Sequence, residues 1–293
     1  MKTPYTNYYK TTDNEQLFYQ ANFDPFENEC NEDILIFNYG LVCSNHHWTH
    51  QLDFFAAQGY KILTHDYRGH YQSSGIKNLS SITFKNLTND LYGLINHLNI
   101  KRPILIGHSM GVNICLEFTK CFPDIVAKQV LISGTTMPVY DIMFDSNVVD
   151  QVQPYIKKLL KAYPTAFTTF WKYGGWNPII KKLIHAGGFN IKTVSSEFIE
   201  VYLNKLGQLG PELFFQLLDQ MQFHQILGEV EIITTKSLII GGDKDKVIPN
   251  YLQRQLADTL QDAELYIVKN GSHVPQVDFP DFVNERIIEF IKN

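Results

Sequence analysis

The sequence predicts an α/β fold: a mainly parallel central sheet with helices on both faces and an inserted helical cap. Three observations carry that expectation. Short apolar runs without polar interruption alternate with longer segments whose apolar residues recur every three to four positions, as buried strands joined by crossover helices do. The pentapeptide Gly107-His108-Ser109-Met110-Gly111 falls on one strand-to-helix junction. Between about Met137 and Thr235 the strand signal vanishes, and only helical stretches rich in aromatics remain.

Residues 6–21 read as a hairpin, with Tyr8-Tyr9-Lys10 and Gln16-Leu17-Phe18-Tyr19 as strands around Asp13-Asn14. A polar loop leads into the strand Ile34-Leu35-Ile36-Phe37-Asn38, which ends in Tyr39-Gly40-Leu41. Trp48, Leu52, Phe55 and Ala56 form the stripe of a helix closed by Gly59. His46 and His50 have the i, i+4 spacing of two metal ligands, but no His-Glu-x-x-His pattern accompanies them and a polar helix face accounts for the pair. The strand Lys61-Ile62-Leu63-Thr64-His65 precedes Asp66-Tyr67-Arg68-Gly69-His70, whose arginine reads as a brace between loops.

A helix over 81–98, with Phe84, Leu87, Leu91, Leu94, Ile95 and Leu98, returns the chain to the strand Pro103-Ile104-Leu105-Ile106. After the helix that carries Val112, Cys115, Leu116 and Phe118 comes the strand Gln129-Val130-Leu131-Ile132. The insertion holds helical stretches over 152–162, 195–206 and 211–223. Strand Ser237-Leu238-Ile239-Ile240, a helix over 250–260, strand Leu265-Tyr266-Ile267-Val268 and a helix over 281–291 complete the core. The expected division is a core of 1–136 and 233–293 and a cap of 137–232.

At 293 residues the chain suits one large α/β domain or a core with an insertion. A net charge of -5 and a pI near 6.0 lack the basic footprint of nucleic-acid binding. The first residues contain no apolar core of a secretory signal, and no apolar run is long enough to span a bilayer. Cys30, Cys43, Cys115 and Cys121 lack C-x-x-C spacing, so neither a zinc site nor a disulfide framework is expected, and they read as reduced thiols of a cytoplasmic protein. Cys43 stands apart because it lies beside a loop assigned to the site.

Chemistry concentrates on one edge. A serine on so sharp a turn is held in a strained conformation, and glycine on either side keeps strand and helix from colliding. The turn lifts the Ser109 hydroxyl clear of the sheet and aims the Met110 N–H where an oxyanion would form, near the positive end of the following helix. Gly40 permits a tight turn that offers the Leu41 N–H as a second donor. The loops Gly241-Gly242-Asp243-Lys244-Asp245 and Asn270-Gly271-Ser272-His273 leave the carboxyl ends of two parallel strands, the same edge that carries Ser109. A hydroxyl needs a base to become a nucleophile; an imidazole suits, and a carboxylate fixes its tautomer. The bland readings are an N-cap role for Ser109 and a packing or pocket-wall role for His108. Asp243 and Asp245 both compete for the acid position.

With these motifs in this order the sequence resembles the α/β-hydrolase family, across essentially the whole core. The resemblance implies Ser109 as nucleophile, His273 as base, Asp245 as the orienting acid by its spacing, and the Leu41 and Met110 amides as the oxyanion hole. It also implies a lid over an apolar acyl pocket and no cofactor. Two positions depart from common family patterns: Tyr39 precedes Gly40 where relatives often carry histidine, and Tyr71 replaces a frequent glycine. Ser109 in place of an aspartate at the elbow argues against haloalkane dehalogenase and epoxide hydrolase activities. The expected activity is hydrolysis of carboxylic esters or thioesters through an acyl-enzyme. The alternatives are a C–C bond hydrolase or acyltransferase with the same residues, or a ligand-binding, non-catalytic relative.

From Gln151 to Lys192 there is no Asp or Glu, yet seven lysines: Lys157, Lys158, Lys161, Lys172, Lys181, Lys182 and Lys192. Tyr155, Tyr163, Phe167, Phe170, Trp171, Tyr173 and Trp176 share the stretch. A cap basic outside and aromatic inside would suit an apolar acyl chain presented at an acidic lipid surface or on an acyl carrier. The plainer reading is a solvated lysine face over an ordinary core.

Overall fold

The computed structural model describes residues 5–27, 30–140, 142–174, 189–190, 194–224 and 226–293. Trp176, Lys181, Lys182 and Lys192 lie outside the described residues, as does the side chain of Cys30. The strands are β1 (Tyr5–Lys10), β2 (Gln16–Ala21), β3 (Cys30–Asn38), β4 (Lys61–His65), β5 (Ile100–His108), β6 (Lys128–Ile132), β7 (Ser237–Gly242) and β8 (Ala263–Val268). They form one sheet in the order β1-β2-β4-β3-β5-β6-β7-β8. The β1–β2 and β2–β4 pairs are antiparallel and all others parallel.

The helices α1 (Thr49–Ala57), α2 (Phe84–His97), α3 (Met110–Cys121), α8 (Asn250–Thr259) and α9 (Pro280–Lys292) cover this sheet. From β3 the chain steps one way to β4, then reverses to β5, β6 and onward. With right-handed crossovers, that reversal puts α1 on one face and α2, α3 and α8 on the other. Accordingly α1 packs on α9, and α2 on α3. Strands covered on both faces need apolar side chains throughout, and Ile34, Leu35, Ile36 and Phe37 are wholly buried, as are Ile104, Leu105 and Ile106. Each such side chain contributes about 1.5–3 kcal/mol by leaving water.

The register aligns the carboxyl ends. Asn38 pairs with Gly107, His108 with Ile132, Ile132 with Ile240 and Gly242 with Val268. The loops that follow β3, β5, β7 and β8 therefore leave the sheet at one edge. Arg68 braces its surroundings from a buried position: its guanidinium donates to both oxygens of Asp90 on α2, at 2.6 and 2.5 Å, and to Asp13 at the β1–β2 turn, at 2.8 Å.

Between β6 and β7 the described residues contain only helices: α4 (Val148–Ala162), α5 (Pro164–Gly174), α6 (Ser196–Leu209) and α7 (Pro211–Phe223), besides short helical turns. Sequence patterning misses α5, and places the start of α4 four residues late. Ser195 caps α6, its hydroxyl accepting the Phe198 N–H at 3.2 Å, while Gly210 at φ 78° and Pro211 turn the chain directly into α7. Asp219 of α7 collects Tyr140, Gln153 and Lys157, and so binds α4 to α7.

This pairing corrects part of the expectation of lysines outside and aromatics inside: Lys158, Lys161 and Lys172 are exposed and Phe167 and Trp171 face the interior, but not every residue follows. Lys157 is turned inward onto Asp219 and the Phe215 ring, whereas Tyr155, Tyr163, Phe170 and Tyr173 are exposed. The reason is helical geometry: α4 and α5 carry more apolar residues than one buried face can hold, so a second stripe faces solvent.

The helical segment is anchored to α3 just past α7. His224 accepts from Asn113 Nδ2 at Nδ1, 3.1 Å, and its Nε2 meets Glu117 at 3.1 Å, with Lys120 donating to the same carboxylate at 2.7 Å. The His224 hydrogen bond first, and then Lys120, hold the Glu117 carboxyl down at about 2. A carboxyl whose folded pKa is depressed stabilises the fold above its unfolded value, and that contribution is lost as pH falls toward the folded one. Glu117→Gln is therefore expected to melt below wild type at pH 7, with the gap narrowing between about pH 4.5 and pH 2. Thermal melts across that range check it; a constant gap would contradict the linkage.

Candidate active site

Ser109 sits between β5 and α3 at φ 53°, ψ -118°, a left-handed conformation that a side chain disfavours. Neighbouring hydrogen bonds hold it there. Ser109 N–H donates to Ile132 C=O at 2.9 Å, and Val112 N–H donates to Ser109 C=O at 2.9 Å. Close packing explains the glycines. A Cβ on Gly107 would lie 2.5 Å from the Gly111 oxygen, and one on Gly111 would lie 2.1 Å from the Asn38 oxygen. At Gly40 it would meet Ser109 Cβ at 2.9 Å, so the loop after β3 can pass the serine only as glycine.

The loops after β7 and β8 run side by side. Lys244 N–H donates to Gly271 C=O at 2.9 Å and Asp243 N–H to Val268 C=O at 3.1 Å; a Cβ on Gly242 would stand 2.3 Å from the Gly271 oxygen. This pairing brings Asp245 and His273 together. His273 Nδ1 lies 2.9 Å from Asp245 Oδ2, and His273 Nε2 lies 3.1 Å from Ser109 Oγ. The other Asp245 oxygen accepts the Val247 and Ile248 N–H groups at 2.8 and 2.9 Å, which fixes the carboxylate's orientation. A carboxylate only accepts, so Nδ1 carries the ring proton and Nε2 offers its lone pair to the hydroxyl. Asp243 turns elsewhere, accepting the Asn270 N–H at 2.6 Å as part of the loop pairing.

The remaining two residues named from sequence are amides. Leu41 lines the cavity beside Ser109, and Met110 begins α3. Among the described residues no protein acceptor takes either N–H. Tyr71, the departure from a common glycine, braces this loop: its hydroxyl donates to the Cys43 carbonyl at 2.6 Å, and Lys205 of α6 sits 4.4 Å above its ring. Cys43 itself is buried in the cavity wall, where burial pushes its thiol up.

His108 does more than line the wall. Its Nε2–H donates to the His273 carbonyl at 2.9 Å and ties the serine turn to the histidine loop. No pattern in the sequence signals that bond, because its acceptor is a backbone atom 165 residues away. Burial holds His108 well below the usual imidazole range and lowers His47 to about 3, so both rings are neutral beside the cavity. His46, paired with His50 in the metal reading, stacks on Phe198 at 5.6 Å.

Above these groups lies a cavity of about 760 Å³, within the range of small-molecule sites. Its wall combines Val149 and Ile156 of α4, Phe167 and Trp171 of α5, and Tyr202 and Leu206 of α6. Phe214, Phe215, Leu218 and Met221 of α7 close it. Among the described lining residues there is no Arg, Lys, Asp or Glu.

Comparison with known proteins agrees with this architecture. A family model described as the alpha/beta hydrolase fold matches residues 33–280. The chain belongs to the alpha/beta hydrolase family. It is 29% identical over 260 residues to protein ABHD8 of Homo sapiens, covering 88% of this chain and 55% of that protein. The chain thus spans about half the length of the mammalian ABHD8 proteins it matches. A bifunctional esterase/perhydrolase of Acinetobacter calcoaceticus is 23% identical over 305 residues, covering 98% of this chain and 99% of that one. Among solved structures, a thermophilic esterase from Thermogutta terrifontis superposes with a TM-score of 0.77 at 18% identity, covering 98% of both chains, a likeness in fold.

His108→Phe keeps a ring and removes the N–H that holds the His273 loop. It is expected to slow reaction of Ser109 with a soluble fluorophosphonate on the order of tenfold, because small displacements of a base are costly. Labelling rates measured on both proteins check this, with thermal melting as the fold control; equal rates would show that the loop is held without His108.

Proposed function

We propose that the protein is a serine hydrolase that cleaves carboxylic esters, or thioesters, of an apolar acyl group. The observation that carries this reading is the chain of contacts Ser109 Oγ, His273 Nε2, His273 Nδ1, Asp245 Oδ2 at the floor of an apolar cavity. The hydrolase family and the esterase among the relatives agree with it.

In this mechanism His273 Nε2 takes the Ser109 proton as Oγ attacks the ester carbonyl. The imidazolium that forms donates from Nδ1 to Asp245. Negative charge on the tetrahedral oxygen is met by the Leu41 and Met110 N–H groups, near the positive end of α3. Collapse expels the alcohol or thiol, which receives the proton from His273, and leaves an ester on Ser109. Water, deprotonated by the same ring, attacks that ester and releases the acid with Ser109 restored. The neutral His47 and His108 rings offer no competing cation.

The cavity wall sets the acyl preference. An acidic acyl chain would find no Arg or Lys among the described lining residues, so a neutral apolar chain fits best. The same residues could pass the acyl group to an alcohol; product analysis with added alcohol separates transfer from hydrolysis.

With a p-nitrophenyl ester panel, kcat/KM is expected to rise about two- to fourfold per methylene until the cavity is filled, since each buried methylene is worth about 0.8 kcal/mol. Ser109→Ala and His273→Ala should each lower kcat at least about a thousandfold without unfolding the protein. Retained turnover in Ser109→Ala would overturn the reading, and a flat chain-length profile would remove the apolar-acyl assignment.

A further inference from the structure

Solvent-exposed apolar side chains are concentrated on one part of the molecule. Of 15 large hydrophobic residues exposed among the described ones, eight fall between residues 144 and 173. On α4 they are Val148, Val152, Tyr155 and Leu159, exposed by 47, 44, 71 and 50%. At about 100° per residue these four share a narrow arc of the helix, a continuous stripe rather than scattered exposures. Tyr163 at the α4–α5 corner and Phe170 and Tyr173 on α5 add three aromatic rings. Monomeric soluble proteins rarely leave so much contiguous apolar surface uncovered.

Two further observations say what covers it. First, Phe144, Val148, Val152 and Phe170 are both exposed and part of the cavity wall, so the apolar lining runs out to the surface here. Second, exposed cations outnumber anions here: Asp150, on the first turn of α4, is the one exposed carboxylate among the described residues from 146 to 174. Exposed Lys158, Lys161 and Lys172 flank the stripe, and no Asp or Glu occurs from residue 151 to 174. Lys158 and Lys172 fold over the rings of Tyr155 and Tyr173, at 5.7 and 5.4 Å from the ring centroids. An aromatic surface with lysine stems along it matches the interfacial region of a bilayer, where tyrosines sit at headgroup depth and lysines reach phosphates.

We propose that the α4–α5 face docks on anionic lipid bilayers, with the cavity mouth opening toward the lipid. Attachment is peripheral; among the described residues no helix is long and apolar enough to cross a membrane. An acidic carrier protein fits less well, because Lys157 is tied to Asp219 and, among the described residues, the remaining lysines of this face are few beside its apolar side chains. Arrival of acyl substrates from the lipid side rests on the hydrolase reading; docking itself does not.

The test is co-sedimentation of the full chain with phosphatidylcholine vesicles and with mixed phosphatidylcholine–phosphatidylglycerol vesicles, at low and high salt. Binding is expected on the mixed vesicles and weaker at high salt, where surface charge is screened. Tyr155→Ser/Leu159→Ser should weaken it at least about tenfold through lost apolar insertion. Lys158→Glu/Lys161→Glu should weaken it on the order of tenfold and abolish the preference for phosphatidylglycerol. None of these four residues lines the cavity, so cleavage of a soluble short-chain ester should be unchanged in both variants, which shows that they fold. Loss of that cleavage in the wild type would count against the hydrolase reading and leave vesicle binding as a separate result. The docking proposal is overturned by absence of wild-type binding to either vesicle, or by variants that bind like wild type. It is equally overturned if the lipid-free wild type is a dimer that Tyr155→Ser/Leu159→Ser dissociates, for then the face takes a second copy of the chain.

Discussion

A serine held in left-handed backbone at the end of a buried strand is the constraint on which this structure turns. Such a conformation costs on the order of 1–3 kcal/mol and persists only where its surroundings over-determine it. Here they do. The hydrogen bond from Ser109 N–H to the end of β6, the bond from Val112 back to Ser109, and three glycines at contact distance leave the turn no other path. Gly40 has the most consequence, because the loop that crosses the serine also carries the Leu41 amide. One packing requirement thus places hydroxyl and amide side by side.

The second half of the site depends on two loops that pair with each other. β7 and β8 end in register, and the backbone bonds from Asp243 and Lys244 across to Val268 and Gly271 make one rigid ledge out of two connections. Asp245 is then oriented by two amides of its own turn, and His273 by Asp245 on one side and by His108 at its carbonyl. In the proposed mechanism, groups held this way would need little reorganisation as charge develops. The apolar lining above them would lower the local dielectric and so strengthen the interaction of the Leu41 and Met110 amides and of the imidazolium with developing charge.

The core was legible in the sequence because strands buried on both faces leave an unmistakable apolar run: Ile34 to Phe37, Ile104 to Ile106 and Leu238 to Ile240 could be little else. Ser109 was legible for the same reason, since its glycines answer a steric demand local to the turn. Between Asp243 and Asp245 residue chemistry alone did not decide, and the family spacing favoured Asp245; in the structure the loop pairing consumes Asp243, which accepts the Asn270 N–H. His108 to the His273 carbonyl, and Tyr71 to the Cys43 carbonyl, were invisible because backbone acceptors leave no mark on composition. In the helices between β6 and β7, the aromatic content was plain but its direction was not. Phe167 and Trp171 line the cavity while Tyr155 and Tyr173 face solvent, a division set by how α4 and α5 lie on α6 and α7.

The central claim is that Ser109 becomes covalently acylated while a substrate turns over. The most direct measurement is acid quenching of a reaction with a medium-chain p-nitrophenyl ester during its first turnover, followed by mass spectrometry of the digested protein. The account predicts an added acyl mass on the peptide that carries Ser109, formed at the rate of the first nitrophenol release and absent from His273→Ala. An acyl group found on another residue, or full turnover with no covalent species on any peptide even when deacylation is slowed, would contradict it.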